Sequence, residues 1–320
     1  MAETSTITPK TAPAPLSKEI AECWQRLPDK PLFLILLSTW LLLFQFLGNS
    51  TLGYINTRSL FAWMDNCYSG ANSDDSHGWL IPVVVIVLLW IKRDQFLNMS
   101  SRPWAPALLL LGLAAGLHFV GYLVQQPRIS ILALFLGIYS IAGIVWGPAV
   151  LRRSFFPMIL FVFCVPVGSL AESITFPLRI LVTQISVGIG HHVLGIDVIR
   201  NGSQIFSGDQ SFQYDVAPAC SGIRSLISLS VFAIIYAFLR FRTAWKRLLI
   251  ICMAVPLAVL GNVIRITTVI VVAEAFGQDA GARIEQNLGF VTFAVAIVTT
   301  LSLGYWLRDP APAPADAAAA

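Results

Sequence analysis

RLLIICMAVPLAVLGNVIRITTVIVVA, residues 247–273, carries no charged side chain after its first residue except Arg265. A helix needs about 20 largely apolar residues to cross the ~30 Å hydrocarbon core of a bilayer, so this run reads as a transmembrane span. An arginine inside such a run costs about 2.5–3.5 kcal/mol even on the most lenient insertion scale, and it calls for a partner or a task. Arg265 stands 18 residues beyond Arg247. At 1.5 Å per residue that is about 27 Å, near the far boundary of the hydrocarbon. Asn262, three residues earlier, falls on the same helix face and can orient the guanidinium. The plain alternative is an arginine that snorkels to the headgroups.

The rest of the chain agrees with a membrane setting. Hydrophobic residues make up 56% of its 320 positions and charged residues 12%, with a mean hydropathy of +0.74. Soluble domains carry about 25% charged residues. The expected fold is therefore all-α and polytopic, with about eight spans near 31–47, 79–91, 104–123, 129–150, 155–171, 220–239, 247–273 and 287–307. Residues 1–30 read as a cytoplasmic tail with a short surface helix near 18–27, residues 31–307 as one membrane domain, and 308–320 as a disordered Pro/Ala extension.

Basic residues set the orientation. Lys10, Lys18, Arg26 and Lys30 precede the first span; Lys92, Arg93 and Arg102 follow the second; Arg152 and Arg153 the fourth; Arg240, Arg242, Lys246 and Arg247 the sixth; Arg308 the last. These fourteen of the 21 basic residues put alternate loops and both termini on the cytoplasmic side. A net charge of +4 distributed this way reports membrane topology and gives no reason to expect nucleic acid; lipid is the expected surrounding partner.

The opposite side receives 48–78, 125–128, 172–219 and 274–286. In the largest of these, Ile196 to Ile205 reads as a hairpin turning at Asn201-Gly202, and Ser211 to Val216 alternates as a third strand. A small extracytoplasmic β-meander thus leads into Cys220. Residues 174–195 contain Arg179, Gln184, His191 and His192, and read as an interfacial or re-entrant helix.

Ala217-Pro218-Ala219-Cys220-Ser221-Gly222-Ile223-Arg224 sets a cysteine at the first turn of the sixth span. Free helical N–H groups there favour the thiolate, and Arg224, one turn on, adds positive charge. A structural cysteine at a span start is the ordinary alternative. Two helices entered from opposite sides bring Cys220 and Arg265 to one level. Thiolate plus guanidinium suggests acyl transfer, with Cys220 attacking a peptide carbonyl and Arg265 stabilising the anion or protonating the leaving amine. A third group is expected from the loop carrying Arg283, Glu285, Gln286 and Asn287, and His77 in Asp74-Asp75-Ser76-His77-Gly78 is a further extracytoplasmic candidate for base or substrate contact, with a helix cap as its ordinary role. The five cysteines share no metal spacing and His191-His192 have no carboxylate or Cys at ligand spacing, so neither a metal nor a cofactor is expected.

At these residues the chain resembles the exosortase/archaeosortase family of membrane transpeptidases, over about residues 33–306. The resemblance rests on Ala219-Cys220-Ser221-Gly222-Ile223-Arg224-Ser225, on Asn262-x-x-Arg265, on Ser76-His77-Gly78, and on Leu194-Gly195-Ile196 leading through Asn201-Gly202 to the cysteine. It implies that Cys220 is the acyl-thioester nucleophile and Arg265 its partner and proton donor. It also implies substrates exported with a C-terminal sorting signal: a short motif such as Pro-Glu-Pro, a transmembrane helix and a basic cluster. The acceptor would be an amine of a glycan or lipid, or water, and the location a bacterial inner membrane. One position departs. The family's third site residue, just before the last span, is usually His or in some branches Arg, and no His follows His192 here. Arg283 would fill that role, while Glu285 stands close to where the His of an H-x-x-x-G pattern would precede Gly289. Two readings from other classes are a small-anion transporter binding through Arg265 and Arg224, and a polysaccharide-export assembly factor without chemistry of its own.

Overall fold

In a computed structural model of the chain, residues 15–51, 55–70, 73, 75–99, 102–209, 211–215 and 223–307 are described, and they are mostly helical. Two units divide the chain. One comprises Met1–Asn66 with Gly78–Val165, the other Cys67–His77 with Pro166–Ala320.

The first unit contains α1 (Leu16–Arg26), α2 (Lys30–Leu47), most of α3 (Leu60–Tyr68), α4 (Leu80–Ile91), α5 (Arg93–Leu97), α6 (Ala107–Leu123), α7 (Pro127–Trp146) and α8 (Pro148–Ile159). α1 takes the place of the expected surface helix. Its Leu16, Ile20, Cys23, Trp24 and Leu27 recur at helical spacing against Lys18, Glu19, Glu22 and Arg26. α2 docks on α7 where the Trp40 indole N–H donates to the Leu134 carbonyl at 3.0 Å. The ring lies over Gly137, where a Cβ would collide with it. His118 of α6 is buried against Phe44 and shares a hydrogen bond of 3.0 Å with Ser130 of α7, so this intramembrane histidine ties helices together.

The second unit contains α9 (Gly168–His192), strands β1 (Val198–Asn201), β2 (Gln204–Ser207) and β3 (Gln213–Asp215), then α10 (Ile223–Arg240), α11 (Ala244–Phe276) and α12 (Gln278–Trp306). The strands form an antiparallel meander in the order β1-β2-β3. Asn201 pairs with Gln204, so the two-residue turn is Gly202-Ser203, one residue later than the sequence suggested. Gly202 supplies the positive φ of 63° that such a hairpin needs at its first loop position. Val198, Ile205 and Phe212 on the meander join Val182 of α9 and Val263, Ile266, Ile270 and Ala273 of α11 in one buried cluster. Burying Ile205 and Phe212 alone contributes about 1.5–3 kcal/mol each. A second cluster between α10, α11 and α12 is rich in alanine (Ala233, Ala237, Ala254, Ala258 and Ala296), which lets the backbones approach closely.

Among the described residues four helices are long and apolar enough to cross a membrane: Lys30–Leu47, Pro127–Trp146, Ala244–Phe276 and Asn287–Trp306. They match four of the eight expected spans. The expected spans near 79–91, 104–123 and 220–239 correspond to shorter apolar helices, Ser76–Ile91, Ala107–Leu123 and Leu226–Arg240. The span expected over 155–171 is not one helix. Pro157 removes a backbone donor inside α8, the chain tightens into a 3-10 turn over Leu160–Cys164, and α9 begins only after Pro166. α9 absorbs both the end of that stretch and most of 174–195. Its Arg179, Thr183 and Ser186 are buried, and the Ser186 hydroxyl donates to the Val263 carbonyl of α11 at 3.4 Å. The loop expected over 274–286 is also helical. α11 runs to Phe276, Gly277 turns the chain at φ 86°, and α12 starts at once. Thirty-three residues make α11 about 50 Å long, more than a bilayer core requires. α3 and α5 were not expected.

Gly137→Ala forces Trp40 off its carbonyl, and the thermal unfolding temperature of the detergent-solubilised protein should drop by the equivalent of about 1–3 kcal/mol. Gly116→Ala in α6, where a Cβ meets nothing within 4 Å, should leave it unchanged or raise it.

Candidate functional site

The α11–α12 hairpin brings the intramembrane arginine to its neighbours by simple counting. Arg265 lies 12 residues before Gly277 and Gly289 lies 12 after it, so an antiparallel pair of helices sets the two at one level. A Cβ at position 289 would stand 3.3 Å from Nη1 and 3.5 Å from Cζ of Arg265. The missing side chain is therefore what gives the guanidinium room against α12. Glu285, four residues earlier on the same face of α12, places Oε1 3.9 Å from Nη2 of Arg265. Both side chains are largely covered, at 15% and 21% exposure. At this separation the carboxylate offsets the guanidinium charge. Asn262, one turn before Arg265 on α11, is buried. Gly261 lies close to Thr292, which keeps the two helices near each other around the site.

The meander reaches the same hairpin. Tyr214 of β3 donates its hydroxyl hydrogen to the Gln278 carbonyl in the first turn of α12 and lies over Gly281, where any side chain would collide with the phenol oxygen. Partial burial, then the nearby carboxylates of Glu285 and Asp279, push the Tyr214 phenol above its ordinary pKa. It remains a donor throughout the physiological range. Tyr214, Glu285 and Arg265 thus form a series running from strand to helix hairpin. At the far end of the meander, Asp209 accepts from Ser207 and Ser211, and these hydrogen bonds lower its carboxyl to about 2. That turn is fixed by its own hydroxyls.

The remaining expected residues fall as follows. Cys220, Ser221 and Gly222 lie outside the described residues, and Arg224 falls in the first turn of α10 with its side chain outside the description. The described chain enters that segment from Asp215 of β3 and leaves it at Ile223 of α10, both in the unit that holds Arg265. Arg283 is exposed on α12 with Nε turned towards the Asp279 carbonyl at 3.4 Å. Two residues of helix separate it from Glu285 by about 200° of rotation. The side of α12 towards Arg265 is therefore that of Glu285 and Gly289. His77 is half-buried in the 3-10 turn Ser76–Trp79. Two residues before it, buried Asp75 accepts the Val167 backbone N–H at 2.8 Å, which anchors this turn beside the start of α9. Among the described residues no group of three His, Cys, Asp or Glu side chains could hold a metal ion.

Sequence reasoning did not single out Tyr214, Gly281 or Asp75 as site residues. Tyr214 carries the only signal that could have found it: an aromatic hydroxyl at the end of an alternating strand just before the cysteine motif.

Residues 63–302 match a family model described as transmembrane exosortase, 240 of the 320 residues. Neither the curated proteins nor the solved structures gave a match. The matched region opens in α3 and closes near the end of α12, and so contains the Asp75 anchor, the meander, the Cys220 motif and the Arg265 hairpin together. The chain belongs to the transmembrane exosortase family (Exosortase_EpsH).

Proposed function

We propose that the protein is a membrane-embedded cysteine peptidase or transpeptidase that removes a C-terminal sorting signal from exported proteins. The observation that carries this reading is the Arg265 guanidinium seated on Gly289 beside Glu285, in the unit that also bears both flanks of the Cys220 segment. A largely covered guanidinium beside a carboxylate brings positive charge and N–H donors to one place at the helix hairpin, which suits anion stabilisation.

In the proposed reaction the Cys220 thiolate attacks the scissile carbonyl carbon. Arg265 stabilises the resulting oxyanion and donates a hydrogen bond to the scissile amide, whose leaving amine takes its proton from water as the C–N bond breaks. The acyl group then stays on sulfur as a thioester. An amine of a glycan or lipid attacks it to form a new amide and release the thiol, or water does so to give a free carboxylate. Tyr214 holds the strand that feeds the cysteine segment onto α12, and Glu285 limits how far Arg265 can turn. The orientation read from the basic loops puts this chemistry on the extracytoplasmic side of a bacterial inner membrane, with both termini in the cytoplasm.

The test is to express variants beside a protein bearing a C-terminal motif, transmembrane helix and basic cluster, and to follow removal of the helix by size and by membrane anchoring. Cys220→Ala should abolish processing. Arg265→Lys, which loses the planar fork while keeping the charge, should slow it by about 10²–10³-fold. Normal processing in Cys220→Ala would reject the thiol mechanism; an unaltered phenotype in Arg265→Lys would favour the assembly-factor reading. Tyr214→Phe loses one hydrogen bond worth about 1 kcal/mol and should slow processing severalfold without abolishing it. Gly289→Leu fills the place of the guanidinium and should be as damaging as loss of Arg265 itself.

A further inference from the structure

The first unit holds an apolar cavity of about 390 Å³ that the peptidase reading does not use. Its walls include Ile20 and Trp24 of α1, Ile86 and Trp90 of α4, Trp146 of α7 and Met158 of α8, with Arg26 and Arg93 also on its lining. α1 is clipped over it at both ends. Glu19 pairs with Arg93 at 2.9 Å, and Arg93 stacks on Trp90 with Cζ 4.7 Å from the ring centre. At the other end the Trp146 indole donates to the Pro28 carbonyl at 2.9 Å, and Lys30 donates to the Trp24 carbonyl at 2.8 Å.

Although they line the cavity, Ile20 and Trp24 remain 50% and 48% exposed, so the chain does not cover the apolar face of α1. The cavity lies where apolar helices end. α4 gives way to Lys92 and Arg93 directly after Trp90-Ile91, α7 ends at Trp146, and the apolar helix α2 starts at Lys30. Tryptophan and basic side chains collect at this depth in the interfacial layer of a bilayer. An amphipathic helix such as α1 lies flat there with its apolar side among acyl chains. The polypeptide nearby is basic: Lys18, Arg26, Lys30, Lys92, Arg93, Arg102, Arg152 and Arg153 stand against Glu19, Glu22, Asp29 and Asp94. The charge complement of such a surface is an anionic headgroup.

We propose that this cavity binds one acyl chain of an anionic phospholipid, whose phosphate rests on Arg26 at the mouth. Arg93, already held by Glu19 and Trp90, forms the fixed wall behind it. The lipid completes the packing of α1, which the chain alone leaves half open.

The test uses the full-length protein, washed in a delipidating detergent and then offered equal amounts of phosphatidylglycerol and phosphatidylcholine of the same chain length, with bound lipid counted by native mass spectrometry. The wild type should retain about one phosphatidylglycerol in preference to phosphatidylcholine. Exposed Arg26→Gln should reduce that preference by about fivefold, the effect of one basic group at an anionic surface. Ala142→Phe, which puts a ring into the cavity from α7, should lower retention of both lipids. Equal retention of the two lipids by the wild type, or an unchanged preference in Arg26→Gln, would overturn the proposal, as would wild-type retention by a folded Ala142→Phe. Arg26 is on the surface of α1, so its variant reads out even if the α7 substitution fails to fold.

Discussion

One arginine inside an apolar hairpin sets the terms for the second half of this molecule. A guanidinium among helices 244–276 and 278–306 cannot shed its proton and cannot be left among methyl groups, so the neighbouring helix must supply both space and charge. Gly289 supplies the space and Glu285 the charge, four residues apart on one face of α12. The pair acts only if the two helices keep their register. The Gly277 turn, the alanine-rich cluster below and the Gly261–Thr292 approach provide that. Glu285, 3.9 Å away, offsets the charge of Arg265 at the point where the two helices meet.

The β-meander is the second part of the same arrangement. Its inner residues Val198, Ile205 and Phe212 are buried with α9 and α11, and its last strand is tied to α12 through Tyr214. A three-stranded sheet this small would have little stability alone. Packed against α9 and α11 it becomes a rigid lead into the segment that carries Cys220. The raised pKa of Tyr214, caused by burial and then by the carboxylates of Glu285, which pairs with Arg265, and Asp279, keeps the phenol a donor at the point where strand and helix meet.

Much of this was legible in the sequence because the signals were energetic. Long apolar runs and a glycine turn before an alternating strand each have few structural solutions, and the helical architecture and the meander came out as expected, with the turn one residue later. Other features depended on context that a linear pattern does not carry. Residues 274–286 are polar and read as a loop, yet they continue two helices that meet at a single glycine, Gly277. Residues 155–171 are apolar enough for a span, but Pro157 and Pro166 interrupt the hydrogen bonding that a continuous helix needs. The third site group was sought by residue type, which favoured Arg283. Helical rotation turns Glu285, which the sequence also named, and Gly289 towards Arg265, and Tyr214 reaches the same hairpin from a distant part of the chain.

The most direct measurement of the central claim, that Cys220 and Arg265 share one site, is the pH dependence of Cys220 alkylation in the purified protein, followed peptide by peptide to separate it from Cys23, Cys67, Cys164 and Cys252. A guanidinium beside the sulfur favours the thiolate, so the wild type should react with an apparent pKa below the ~8.5 of a free thiol. Arg265→Gln should raise that value by about one unit, while Glu285→Gln should lower it or leave it in place. An alkylation profile that is identical in the wild type and Arg265→Gln would contradict the account, because the thiol would then be titrating out of reach of the arginine.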